Sequence, residues 1–179
     1  VDGAQVRYGM LETLRAYAAE QLATAGEIEL FHNRHLHHFL AVAESSGALL
    51  LKNGSLSAEI ERLSGEQDNL RTALEWGLAH VPDKALQLAG ALWPYWNLSD
   101  RVDEGHRWLE QVLAYRSVDA APACSARAYS GLGTMLWRKG QFAAAESEHA
   151  RSLVAYRQAG DRHGEALAVH RKNNPFAAI

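Results

Sequence analysis

Two stretches of this chain can be laid over one another at a shift of about 40 residues. Ala89 then falls on Tyr129, Leu92 on Leu132, Trp96 on Leu136, Val102 on Phe142, Gly105 on Ala145 and Leu113 on Leu153. Each stretch reads as helix, short turn, helix, with Gly140 placed to end a helix and small residues, Gly133 and Ala145, where two helices must approach closely. A hairpin of that kind cannot bury its own apolar face, so neighbours have to stack. The pattern predicts an all-α fold of antiparallel helical hairpins. Composition agrees: 31 Ala and 24 Leu stand against 16 Val, Ile and Thr together, so helix formers far outnumber strand formers.

The helical spacing extends through most of the 179 residues. Leu11, Leu14, Tyr17, Ala18, Leu22 and Ala25 mark a first helix closed by Gly26. Ile28, Phe31, His35, Phe39 and Val42, widened by Leu36, Leu40 and Ala43, mark a second, expected from Ile28 to Ser46. The expected division is a junction segment and helical pair over 1–46, a Gly/Ser-bearing loop over 47–57, helical repeats over 58–172 and an irregular tail over 173–179. Gly65 should break a helix, and Pro94 should kink or end one early. The non-methionine start and the loss of pattern after His170 suggest a chain cut from something longer.

Charge narrows the function. With 18 basic and 21 acidic residues the formal net charge is −3, which makes no polyphosphate-binding field, so nucleic acid is not the expected partner. The strongest apolar stretch, around Gly47 to Leu51, is far short of the ~20 residues a membrane span needs, and the chain reads as cytoplasmic. His32, His35, His37 and His38 form the densest cluster of metal-capable side chains, yet no i, i+4 histidine pair and no H-E-x-x-H occur, so a partly buried helix face explains them better than a metal site. Cys124, near an expected helix start, is read as a structural thiol, and Ser130-Gly131-Leu132-Gly133 as close helix packing, since no G-x-S-x-G elbow exists. Glu59, Glu61 and Glu66 are read as an exposed helix face, and Trp96 and Trp108 as core. No catalytic residue, cofactor or metal is assigned.

Tyr129, Leu132, Gly133, Gly140, Phe142 and Ala145 resemble a tetratricopeptide repeat, although His149 stands where an aromatic is usual, Ser152 where Ala is usual, and the period is longer than the common one. That resemblance implies a right-handed solenoid of stacked hairpins, with Arg127, Ser130, Thr134, Trp137 and Arg138 on its concave, partner-binding face. A second resemblance lies in the run Arg7-Tyr8-Gly9-Met10-Leu11-Glu12-Thr13-Leu14-Arg15-Ala16-Tyr17, in Glu66-Gln67-Asp68-Asn69-Leu70-Arg71 and in Gly105-His106-Arg107-Trp108-Leu109-Glu110. These look like the region after the ATPase core in bacterial STAND-type transcriptional regulators, the AfsR-like and LuxR-type large regulators. The resemblance implies the end of a winged-helix junction followed by a sensor arm. No G-x-x-x-x-G-K-[S/T] phosphate cradle is present, so the segment is not expected to hydrolyse ATP by itself.

The expected function is a non-catalytic interaction or sensor module that docks a protein or small-molecule effector. The rival is a small stand-alone hydrolase with its site on a helical scaffold. A third reading is nucleic-acid docking through Arg127, Arg138, Lys139 and Arg151. Exposed apolar faces on the terminal helices would favour self-association.

Overall fold

The computed structural model describes residues 11–51 and 56–173. Among them there are nine helices and no strand: α1 (Glu12–Ala25), α2 (Ile28–Leu51), α3 (Leu56–Gly65), α4 (Gln67–His80), α5 (Pro82–Leu98), α6 (Val102–Tyr115), α7 (Pro122–Arg138), α8 (Phe142–Ala159) and α9 (Arg162–Asn173). The all-α expectation holds for these residues, and none of their helices is long and apolar enough to cross a membrane. The chain divides into two compact units, Val1–Arg34 and His35–Ile179.

In the first unit α1 ends at Gly26, whose φ of 70° is the left-handed conformation that glycine adopts without a Cβ penalty. The Gly26 N–H donates to the Ala23 carbonyl and the Glu27 N–H to that of Leu22, which satisfies carbonyls left open at the helix end. Leu14 and Tyr17, on the expected apolar stripe, are exposed in this unit.

In the second unit α5, α7 and α9 begin at 82, 122 and 162, so the helix starts repeat every 40 residues. The turns repeat too. Asp100 and Gly140, 40 residues apart, both take positive φ, and in each case the next N–H reaches back five residues, Arg101 to the Trp96 carbonyl and Gln141 to that of Leu136. Gly160 closes α8 in the same way, with Asp161 bonding to the Tyr156 carbonyl. Helix length is less uniform. α6 has 14 residues and is followed by a longer link, 116–121, whereas α8 has 18 and only Gly160 and Asp161 precede α9. One extra helical turn replaces four residues of loop, and the period survives.

Side-chain size is matched across the repeat. A Cβ on Gly105 would lie 2.9 Å from the Trp96 Cβ, so α6 meets α5 only because position 105 is empty. Forty residues on, the corresponding positions hold Leu136 and Ala145, both buried, a smaller residue in place of the tryptophan and a methyl in place of the glycine's hydrogen. α7 is built for contact on two sides, since a Cβ on Gly131 would meet Trp93 of α5 and one on Gly133 the His149 ring of α8. Ser152 of α8, fully buried, donates from Oγ to the Ala126 carbonyl at 2.8 Å.

Two local expectations are corrected. The loop over 47–57 is shorter than expected, because α2 continues to Leu51 and α3 begins at Leu56. Ser46, Gly47 and Leu50 are buried there, with Gly47 pressed on the Ala91 carbonyl of α5 and Ser46 Oγ accepting from Arg62, so packing overrides weak local propensity. Of the two outcomes expected at Pro94, a kink or an early end, the early end does not occur: α5 runs through it to Leu98. Almost every residue from Ala85 to Asn97 is buried, and that envelopment outweighs the roughly 3 kcal/mol an interior proline costs. The break at Gly65 is observed, between α3 and α4. The first ten residues, and the tail from 174 onward, lie outside the described residues.

Candidate functional site

The five side chains expected to share a partner-binding face are separated by the packing of α7. Arg127 lines a groove with Glu44, Gly47 and Leu51 of α2 and Gly90, Trp93 and Pro94 of α5, enclosing about 140 Å³. At Gly90 a Cβ would stand 3.4 Å from the Arg127 Cβ, an ordinary van der Waals distance, so α5 and α7 come within side-chain contact there. Across the groove Arg127 Nη2 stands 3.5 Å from Glu44 Oε1, both side chains being half-exposed. The result is an apolar channel with one cation and one anion at its lip, flanked by Tyr156 of α8 and Leu167 of α9.

Ser130 and Thr134 are inside the molecule, where Thr134 Oγ1 donates to the Ser130 carbonyl at 2.9 Å, the usual resting place of a hydroxyl in a helix interior. Trp137 is half-buried with its ring centroid 6.2 Å from that of Phe142. Arg138 is a clamp between turns: Nη1 donates to the Asn97 carbonyl and Nη2 to Asp100 Oδ1, each at 2.6 Å. Lys139 beside it bonds Asp103 at 2.8 Å, and the ammonium holds that carboxyl below the usual carboxylate range.

A comparable clamp joins α4 to α6. Arg71 Nε donates to Glu104 Oε1 at 2.7 Å and Gln67 Nε2 to Oε2 at 3.3 Å, two donors four residues apart on one helix face. Arg101 adds a third contact to Glu104 at 3.6 Å. The hydrogen bond to Glu104 raises the Arg71 guanidinium above its ordinary value. Asp83, in the first turn of α5, accepts from both the N–H and the Oγ of Ser117 and so ties the 116–121 link, which follows α6, back to the start of α5.

Among the described residues no group of three His, Cys, Asp or Glu side chains converges as a metal site would require. The His35 and His38 rings each lie against Phe39, at 4.7 and 4.9 Å between centroids. Cys124 is buried in α7. Sequence spacing missed Glu44 and Gly47 as groove residues. The available signal was a glycine, Gly47, set inside an apolar helical stripe, which marks a place where another backbone comes near.

Similarity to curated proteins is confined to part of the chain. Over 111 residues, 61% of its length, it is 35% identical to a protein of Mycobacterium bovis named "Putative HTH-type transcriptional regulator". The same values hold for proteins of that name from two strains of Mycobacterium tuberculosis. No family model and no solved structure matches. The matched segment spans only 12% of each of these relatives.

Proposed function

We propose that the segment is a helical-repeat docking module of a bacterial STAND-type transcriptional regulator, working in the cytoplasm without catalysis of its own. The observation that carries this reading is the 40-residue recurrence of helix starts and turn geometry from α5 to α9, in a chain similar to named regulators of transcription. The α5–α6 and α7–α8 pairs are read as tetratricopeptide-like hairpins of a right-handed solenoid, preceded by a junction segment and helical pair. Such arrays recognise partners along continuous surfaces. The docking surface is the groove around Arg127, and the ligand is a protein or small-molecule effector that competes with Glu44 for the guanidinium. Ser130, Thr134, Trp137 and Arg138 shape and brace α7 behind that surface.

The cations Arg127, Arg138, Lys139 and Arg151 favour a partner other than nucleic acid. Arg127 is paired with Glu44, Arg138 with Asp100, Lys139 with Asp103 and Arg151 with Glu148, so each phosphate contact would have to displace a carboxylate. The relatives are named HTH-type transcriptional regulators, but they are chains about eight times longer than the matched piece.

A photo-crosslinking residue at Ala48, on the groove wall, tests the proposal in a host cell. A single adduct should form, be competed away by unlabelled chain and be lost with Arg127→Glu. Adducts that persist in Arg127→Glu, or none at all, would overturn it. Sedimentation at rising concentration tests the companion proposal of self-association through the terminal helices, which a strictly monomeric profile would exclude.

A further inference from the structure

A second cavity, of about 560 Å³, opens where α6 stops one turn short of the length reached by α8. Its floor is apolar, made by Ala150, Val154 and Ala155 of α8, and the 116–121 link crosses one side with Val118. Val154 is 53% exposed, an open hydrophobic surface in a concave setting. The volume falls within the range of small-molecule sites, roughly 300–1,000 Å³. The cavity shares no residue with the groove around Arg127.

Its charge is one-sided. Arg116 and Arg151 are the ionised side chains in its wall, with no carboxylate among the residues that line it. Arg151 bonds Glu148 at 3.1 Å through Nη1. Arg116 lies 5.6 Å from the Tyr129 ring centroid and donates Nη1 to the Leu113 carbonyl, and it has no carboxylate partner among the described residues. Asp119 belongs to the same link but does not line the cavity. Ser125 and Tyr129 add hydroxyls to the α7 side. A guanidinium held by a ring face and one carbonyl, above an apolar floor, matches one chemistry: a planar anion with a hydrophobic body.

We propose that this cavity binds a small-molecule carboxylate whose apolar portion rests on Ala150, Val154 and Ala155 while the carboxylate meets Arg116. The proposal stands apart from the docking role of the groove, and either can fail alone. The test is a titration of the isotope-labelled chain with 4-phenylbutyrate, 4-phenyl-1-butanol and inorganic phosphate, followed by amide chemical shifts. The expected result is saturable shifts centred on Ala120, Ser125, Ala150 and Val154 with the carboxylate. Affinity should fall about tenfold or more for the alcohol and for Arg116→Gln, with Arg116→Lys in between, as expected for a charge-assisted hydrogen bond. Equal affinity for the alcohol, phosphate binding as tight as the carboxylate, shifts centred elsewhere, or no saturation would each overturn the proposal.

Discussion

Gly131 of α7 sits against Trp93 of α5 so closely that a Cβ at 131 would lie 2.5 Å from the Trp93 Cβ. The obstacle is the root of a side chain and not its flexible tip, so the helices themselves would have to part. Gly131→Ala is expected to destabilise by about 1–3 kcal/mol in spite of the better helix propensity of alanine. For a chain of this size that lowers Tm by roughly 2–10 °C. Calorimetry checks it, and an unchanged or higher Tm would show that α5 and α7 can separate freely.

The clamp from Arg138 to Asp100 predicts a coupled response. Asp100 has a φ of 59°, a conformation glycine holds with less strain, but its carboxylate receives the Arg138 guanidinium. Asp100→Gly should be close to neutral in the wild-type background and stabilising by about 1 kcal/mol in Arg138→Ala, where only the backbone relief remains. A double-mutant cycle in urea measures the coupling; purely additive effects would exclude it.

Glu148 predicts a pH dependence. Burial pushes its carboxyl above the ordinary value of 4.5; Arg151 opposes the shift and Glu110 adds to it. The folded chain therefore holds this proton more tightly than the unfolded chain, and the associated stability is present at low pH and lost as pH rises through the folded value. Glu148→Gln, which cannot ionise, should gain on the wild type between pH 4 and 7. Urea midpoints across that range test it, and a difference moving the other way would contradict the assigned cause.

Gly47→Ala places a methyl on the Ala91 carbonyl and should loosen the C-terminal half of α2 from α5. Amide exchange over residues 43–51 is expected to rise by about tenfold or more, the equivalent of 1.4 kcal/mol or above, while α7 and α8 stay protected. Equal acceleration throughout would indicate a global effect in place of a local one.

The period of 40 was legible because Leu92 and Leu132, Trp96 and Leu136, and Gly105 and Ala145 preserve character or total size at fixed spacing, and such regularity survives any detail of packing. The end of α2 and the passage of α5 through Pro94 were not legible, because both are decided by tertiary burial against helices distant in sequence. The site was harder still. Arg127 could be placed on a helix face, but its partner Glu44 lies 83 positions away and no local pattern links them. Ser130 and Thr134 sit at the helical spacing of a surface stripe, and only the arrival of neighbouring helices turns that stripe into interior.

The exchange of one helical turn for four residues of link between α6 and α8 separates two properties that usually change together. Lengthening a helix ordinarily displaces everything after it, yet here the next helix keeps its start because the connection gives up what the helix takes. The edge of one helix pair can thus be reshaped, deep or shallow, open or filled, without moving the start of the helix that follows. Extending α6 by four residues while trimming 116–121 by four would erase the cavity beside Arg116 and leave α7 to α9 in place, so pocket depth is a quantity that selection or design can adjust on its own.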